Sequence, residues 1–162
     1  MGIFLGFLAG VGASGFGVLL ADRLSSRRER RTDLMTTLDR AIESLVAGNH
    51  VIQQFIAKAG TGAPPPVVQE AADRVSEREI EMRAASASLR FRLGTDDPLV
   101  KVLDEAREHF VASYVATRPA LEEGLQGPPV MAPAFEAVHK FEDALETVID
   151  AAGTRFGSSD RV

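Results

Sequence analysis

Glutamate and histidine side chains spaced one helical turn apart are the residues of this sequence best suited to chemistry. Glu136 and His139 form a Glu-x-x-His pair, and Glu105 lies four residues before His109. A di-iron site in a helical bundle needs two Glu-x-x-His pairs and further inward glutamates. The third histidine, His50, has an alanine three residues before it. The sequence contains one Glu-x-x-His pair, and two are needed. We therefore expect no metal and no cofactor, and we expect the histidines to be exposed or hydrogen-bonded.

Other catalytic patterns are missing from the sequence. The chain has no cysteine, which excludes thiolate nucleophiles and disulfides. It has no Gly-x-Ser-x-Gly elbow, and "AGTGAPPP" lacks the Lys-Ser/Thr pair of a phosphate-binding loop and follows a helical pattern where a strand is required. We therefore expect a protein that is not an enzyme.

Charge is distributed unevenly along the chain. The net charge is -5 over 162 residues. Residues 22–31 nevertheless hold five arginines against Asp22 and Glu29. The rest of the chain is therefore strongly acidic, whereas phosphate backbones are bound by basic faces. We expect no nucleic-acid partner.

The first 21 residues have the character of a membrane anchor. From Ile3 to Ala21 no residue is charged, and a helix of that length spans roughly 28 Å, close to the hydrocarbon core of a bilayer. A secretory signal is the main competitor, with a small-residue site at Val11-Gly12-Ala13. A signal peptide, however, carries a positive charge before its apolar core, and only Met-Gly precedes this one. The sequence predicts an uncleaved transmembrane helix over residues 1–21, with a buried core helix as the remaining alternative.

The arginines that follow predict the orientation of this anchor. Basic residues beside a membrane segment stay on the cytoplasmic side. We therefore expect the N-terminus outside, the body in the cytoplasm, and the protein in the bacterial inner membrane. Each cation near an anionic leaflet adds about 1 kcal/mol of attraction. The residues expected to contact anionic lipid headgroups are Arg23, Arg27, Arg28, Arg30 and Arg31.

Small residues of the predicted anchor gather on one side of a helical wheel, within an arc of about 140°. They are Gly2, Gly6, Ala9, Gly10, Ala13, Ser14, Gly17 and Ala21. Small residues four apart let two membrane helices approach closely, so this arc is a candidate self-association face. Glycine and alanine are also common in membrane helices generally, so the pattern alone leaves both interpretations open.

Four apolar stripes with helical spacing follow a polar stretch at residues 22–33, which is either a helical stalk or a loose joint. The predicted helices cover 34–59, 67–93, a third opened by Asp97 and Pro98 and ended or kinked by Pro119, and a fourth opened by Pro133. The fourth is expected to turn inward Phe135, Val138, Phe141, Leu145, Val148, Ile149 and Ala152. No strand-like alternation is present. The predicted fold is all-α, an N-terminal transmembrane helix followed by an antiparallel up-down four-helix bundle.

Two places depart from the regular pattern. Glu79 and Ser86 fall where the second helix would favour apolar groups. At "LRFRLG", Arg90 and Arg92 flank Phe91 near the end of the same helix, where cations are favoured by the helix dipole. We expect these arginines to pair with acidic residues such as Asp96 or Glu108, and the alternative is a contact with an anion or a partner.

The layout resembles a widespread class of uncharacterised small bacterial single-pass membrane proteins. The resemblance rests on the glycine-rich start, the "RRERR" collar, "TDLMTTLDRAIESL", "ASASLRFRLGTDDPLVKVLDEAREHF" and "FEDALETVIDAAGTRFG". It covers most of the chain but contains no diagnostic motif. It implies a cytosolic helical domain and no catalytic residues.

The expected domains are an anchor at 1–21, a basic juxtamembrane stalk at 22–33, a four-helix bundle at 34–156 and a disordered tail at 157–162. The function expected is non-enzymatic: binding of an unknown protein partner, or assembly into a homo-oligomer, at the cytosolic face of the membrane. The alternative is a membrane-active effector of phage or defence origin, pore-forming or holin-like, whose small-residue helices oligomerise in the bilayer.

Overall fold

The computed structural model describes the backbone of residues 4–122 and 128–157 and the side chains of residues 29–119, 122 and 130–156. Four helices and no strand are formed within these ranges. They are α1 (Phe4–Gly60), α2 (Pro65–Leu93), α3 (Pro98–Glu122) and α4 (Pro128–Gly157). The prediction of an all-helical chain with four helices is confirmed for this part of the protein.

Two compact units divide the chain, Met1–Thr36 and Thr37–Val162. In the first unit, the backbone of the basic stretch 22–33 is helical as part of α1. No helix is both long enough and apolar enough for a membrane crossing among the residues that the structure describes. The expected anchor, residues 1–21, lies outside the described side chains. Gly157 still belongs to α4, and the remainder of the expected tail, 158–162, is likewise outside the described part.

The turn between α2 and α3 follows from two residue types. Gly94 has a φ of 93°, a region that glycine enters without steric cost, and its N–H donates to the Arg90 carbonyl. Asp97 then accepts the N–H of Leu99 at 3.0 Å on Oδ1, just before Pro98 begins α3. The predicted capping role of Asp97 is confirmed, because its carboxylate satisfies an amide that lacks a partner within the helix.

Two prolines lie inside helices, although the sequence predicts a helix start at Pro133 and either an end or a kink at Pro119. Pro133 does not open α4, which begins at Pro128, and Pro119 lies within α3, which continues to Glu122. The expected loop before Pro133 is correspondingly shorter. Met131 is buried in the added turn of α4, so apolar burial offsets the backbone hydrogen bond that Pro133 lacks.

The core of the second unit is built around aromatic residues. Phe55, Phe110 and Phe141 are fully buried. The rings of Phe110 and Phe141 meet edge to face with centroids 5.5 Å apart, and the ring of Phe55 lies 5.5 Å from that of Tyr114. These contacts tie α1, α3 and α4 together, in the arrangement that aromatic quadrupoles favour.

The contacts between neighbouring helices show the direction in which each helix runs. Between α2 and α3 the contacting pairs are Ser86 with Asp104 and Glu79 with Arg107, and between α3 and α4 they are Asp97 with Arg155 and Phe110 with Phe141. In both cases moving forward along one helix moves backward along the other, which is the register of antiparallel neighbours.

Some positions predicted to face inward are exposed. Phe135 and Ile149 of α4 are 51% and 45% exposed. The buried side of α4 centres on Phe141, and Phe135 lies about 120° from it around the helix. The apolar stripe is therefore wider than the face that α1 and α3 cover.

Candidate interaction groove between helices α2 and α3

An open groove of about 490 Å³ runs between α2 and α3. Its floor is apolar and is formed by Val75 of α2 and Phe110 of α3. Ile80, which is 63% exposed, forms the α2 edge, while Val111 and Tyr114 continue the lining on α3. We call these five residues and their surroundings the α2–α3 groove. Its volume is within the range of natural ligand pockets, but its open shape also suits an inserted side chain.

A carboxylate shared by two guanidinium groups borders the α2–α3 groove. Glu79 accepts a hydrogen bond from Nη1 of Arg107 at 2.9 Å across the two helices. It also accepts from Nη2 of Arg83, one helical turn away, at 2.9 Å. The Glu79 side chain is only 17% exposed. A half-buried carboxylate lowers stability unless it has charged or hydrogen-bonding partners. The two arginines therefore explain how a glutamate occupies a position between the helices where an apolar residue is expected.

A second polar bridge lies nearer the α2–α3 turn. The Ser86 hydroxyl donates to Oδ1 of Asp104, and Nη2 of Arg90 donates to Oδ2 of the same carboxylate. Ser86 is buried and is therefore satisfied by its partner on α3. The expectation that Arg90 pairs with an acidic residue is met, although the partner is Asp104 rather than Asp96 or Glu108.

The carboxylate of Asp97 lies at the same end of the unit and is bound by Arg155 of α4. The hydrogen bond from Arg155 lowers its pKa below the ordinary value, and the Leu99 amide adds to that effect while burial opposes it. On the exposed side of α4, the hydrogen bond from Lys140 lowers the pKa of Glu136. Both carboxylates are thereby held in the charged form, which suits ion pairing rather than proton transfer.

The three histidines do not come together. His139 Nδ1 lies 3.1 Å from Oε2 of Glu142, and Glu136 pairs instead with Lys140 at 2.8 Å. His109 is 3.9 Å from Glu105, a pair that the sequence suggests. His50, on α1, lies 2.7 Å from the side chain of Gln54. Within the described ranges no three metal-ligating side chains share a site.

The other predicted site residues fall mostly outside the described side chains. The association face, Gly2, Gly6, Ala9, Gly10, Ala13, Ser14, Gly17 and Ala21, lies there, as do Arg23, Arg27 and Arg28. Arg30 and Arg31 are described and are exposed. Ile80 was not predicted as a site residue. The signal that could have identified it is its place as a single isoleucine between Glu79 and Glu81.

Comparison with known proteins yields two partial relatives. Phosphoglucosamine mutases from Mycobacterium leprae strains Br4923 and TN are each 32% identical to this chain over 120 residues. The matched stretch covers 74% of this chain but 25% of either mutase, so the chain spans about a quarter of the length of these relatives. No protein-family model matches the chain, and no solved structure matches it significantly.

Proposed function

We propose that this chain is a non-enzymatic, membrane-anchored helical protein that acts by protein–protein interaction or self-association at the cytosolic face of a bacterial membrane. Its proposed architecture is an N-terminal transmembrane helix followed by an antiparallel up-down four-helix bundle. The observation that carries the interaction is the α2–α3 groove, in which the exposed Ile80 stands beside an apolar floor. Exposed apolar surface next to satisfied polar groups is the usual composition of a protein contact site.

The proposed anchor is supported by the sequence of residues 1–31. Nineteen uncharged residues from Ile3 to Ala21 are long enough to cross a bilayer. The arginine cluster that follows supports an N-terminus outside and a body in the cytoplasm, with the arginines at the anionic headgroups of the inner membrane.

The match to phosphoglucosamine mutase concerns a segment that makes up about a quarter of each mutase. We therefore propose no mutase activity for this chain alone.

Site-specific photo-crosslinking in bacterial membranes tests the interaction. A photo-crosslinking amino acid replaces Ile80 in the full chain, and the same replacement at Ile149, which is exposed on α4, is the matched control. We expect a discrete adduct from position 80 and none from position 149. Mass spectrometry of the adduct distinguishes a second copy of the chain from another protein. Equal labelling from both positions, or none from either, contradicts the use of the groove.

Enzyme assay and reporter fusion test the other parts of the proposal. Phosphoglucosamine mutase activity of the purified chain would contradict a non-enzymatic role. A carboxy-terminal reporter that is active only outside the cytoplasm should be silent, since the proposed orientation has the body inside.

The small-residue rows of the first 21 residues favour one second function, a membrane-active effector whose anchors assemble into a pore. Gly2, Gly6 and Gly10 form one row at four-residue spacing. In that case induced expression depolarises the membrane rapidly, and Gly6→Ile combined with Gly10→Ile abolishes the effect. Harmless accumulation of the unaltered chain contradicts it.

A further inference from the structure

Helix α2 carries a second apolar stripe on the side that faces solvent. Ile80, Ala84, Ala87 and Phe91 recur four, three and four residues apart, and all of them are exposed. On a helical wheel they fall within an arc of about 60°, and the buried Met82 lies on the opposite side. We call these four residues the outer stripe of α2. A surface helix ordinarily has polar residues opposite its buried face, so the core does not account for this stripe.

The outer stripe contains the two most exposed large hydrophobic side chains in the described part of the protein. Phe91 is 92% exposed and Ile80 is 63% exposed. The two alanines between them are small, so a second helix can approach the backbone closely there. Apolar residues spaced alternately by four and three residues are the pattern by which two helices pack together. The outer stripe therefore has the form of one half of a helix–helix contact.

Charged residues of opposite sign border the outer stripe on its two sides. On the helical wheel, Glu77 and Glu81 lie on one side and Arg83 lies on the other. Arg83 is 67% exposed and binds Glu79 through Nε and Nη2, so its Nη1 is available to a further acceptor. Glu77 has no ion pair within the described ranges. The surface thus presents an acidic border and a basic border that are complementary to each other.

These borders select a second copy of the chain, and they select a direction for it. When two identical helices run parallel about a two-fold axis, each border faces the opposite border of the other copy. Glu77 and Glu81 of one copy then face Arg83 of the other, whereas antiparallel helices bring each border against its like. Opposite charges across a contact favour the arrangement that pairs them. A parallel pair also leaves Thr37, the first residue of the second unit, at the same end in both copies, as two chains anchored in one membrane require.

We propose that the outer stripe of α2 pairs in parallel with the same stripe of a second copy of this chain. Equivalent residues meet, Ile80 with Ile80 and Phe91 with Phe91, and the alanines between them come into close contact. This pairing rests on the proposed function and gives its self-association a defined surface beside the α2–α3 groove. Four residues from each copy make less than a standard interface, and a shared membrane offsets this because it keeps the copies at a high local concentration.

Because the chain has no cysteine, disulfide formation tests the pairing directly. Ile80→Cys and Phe91→Cys are produced separately in bacteria, and the isolated membranes are treated with a mild oxidant. In the parallel pair each new thiol meets its counterpart, so both variants should give a covalent dimer. If Ile80 met Phe91 in an antiparallel pair, the two copies of position 80 would lie about 16 Å apart along the helix, beyond the reach of a disulfide. Ile149→Cys, which is exposed on α4, is the matched control and should remain monomeric.

A second variant tests the centre of the outer stripe. Ala84→Glu in the Ile80→Cys background places a carboxylate between the two helices and should lower the yield of covalent dimer several-fold. Ala112→Glu in the same background is the control and should leave the yield unchanged, since Ala112 is exposed on α3. Circular dichroism of the purified variants checks that both remain helical.

The outcomes separate this pairing from the proposed function. If oxidation gives no dimer while photo-crosslinking at position 80 captures a different protein, the pairing is wrong and the proposed interaction stands. If neither method gives an adduct, the proposed use of this surface fails as well. Dimers that form only when Ile80→Cys and Phe91→Cys are produced together overturn the parallel direction, and an equal yield from Ile149→Cys overturns the outer stripe as the contact.

Discussion

Asp97 and Arg155 join the start of α3 to the end of α4. Nη1 of Arg155 lies 2.6 and 2.7 Å from the two carboxylate oxygens of Asp97, and one of those oxygens also accepts the Leu99 amide. The Asp97 side chain is 11% exposed. One carboxylate thus caps a helix and holds a second helix against it, across 58 residues of sequence.

Asp97→Ala should lower the free energy of unfolding by about 1–2 kcal/mol, because a helix cap and a charge-assisted hydrogen bond are lost together. Urea unfolding of the full chain in detergent micelles measures this, followed by the fluorescence of Tyr114, which is the single tyrosine and is half-buried beside Phe55. Asp96→Ala is the control, because Asp96 is 3.9 Å from its lysine and is almost fully exposed. Equal losses from the two variants contradict the assigned role.

The ion pair between Asp97 and Arg155 predicts that the free energy of unfolding depends on pH. Arg155 lowers the pKa of Asp97 below its ordinary value of 3.8. A lowered pKa stabilises the fold fully above the unfolded value, and the contribution disappears as the pH falls through the folded value. Between about pH 5 and pH 2.5, the unaltered chain should therefore lose more unfolding free energy than Asp97→Ala does. Parallel acid titrations of the two proteins would contradict this.

Among the glycines of α1 whose surroundings the structure describes, Gly48 has the closest neighbouring side chains. A Cβ added there would lie 1.9 Å from Cε of Met82 and 3.3 Å from Cε2 of Phe110. Because Cε is the far end of a flexible side chain that can move aside, the net cost of Gly48→Ala should be at most about 1 kcal/mol after the gain of about 1 kcal/mol from alanine as the better helix former. In a Met82→Ala background the same substitution should be neutral or stabilising, by up to about 1 kcal/mol. A double-mutant cycle of unfolding measures the difference, and additive effects would show that Met82 does not limit this approach.

Two other glycines should respond in opposite directions to alanine. Gly153 is exposed inside α4, and a Cβ added there would meet no neighbouring side chain within 4 Å, so Gly153→Ala should stabilise the protein by about 0.5–1 kcal/mol. Gly94 has open space as well, but its φ of 93° strains any other residue. Gly94→Ala should therefore destabilise it by about 1 kcal/mol. Thermal unfolding of the two variants shows whether the available space or the backbone conformation controls the effect of alanine on stability.

The two arginines that bind Glu79 should contribute unequally to the free energy of unfolding. Arg107 bridges α3 to α2 and is 25% exposed, whereas Arg83 bonds within α2 and is 67% exposed. Arg107→Ala should lower the unfolding free energy by about 1–2 kcal/mol, and Arg83→Ala by about 0.3–0.5 kcal/mol, because solvent screens the exposed pair. Urea unfolding of both variants measures this order. A larger loss for Arg83→Ala would mean that the bridge between the helices adds little.

The sequence predicts the helices well because each buries one apolar stripe. Phe141, Leu145 and Val148 of α4 recur at helical spacing and are buried as expected. The local chemistry of Gly94 and Asp97 also identifies the turn between α2 and α3. Pro133 misleads, because a single lost backbone hydrogen bond is outweighed when the extended helix buries a residue such as Met131.

The candidate site could be predicted only in part. The sequence marks Glu79 and Ser86 as irregular positions, and periodicity suggests that they lie near the seam. It does not reveal that Arg107 and Asp104 on α3 reach them, since those contacts depend on the rotation and register of two helices. The same is true of Ile80, whose exposure beside Val111 and Tyr114 is decided by which face of α2 remains uncovered.

By itself, the sequence determined the all-helical character and the order of the four helices in the described part of the chain, and the acidic body behind a basic cluster. These properties follow from composition, spacing and local capping, which act over a few residues. Only the tertiary structure decided that Asp97 holds Arg155, that α2 and α3 leave a groove open between them, and that Phe91 faces solvent. Each of these depends on residues far apart in sequence that meet only after the helices have packed.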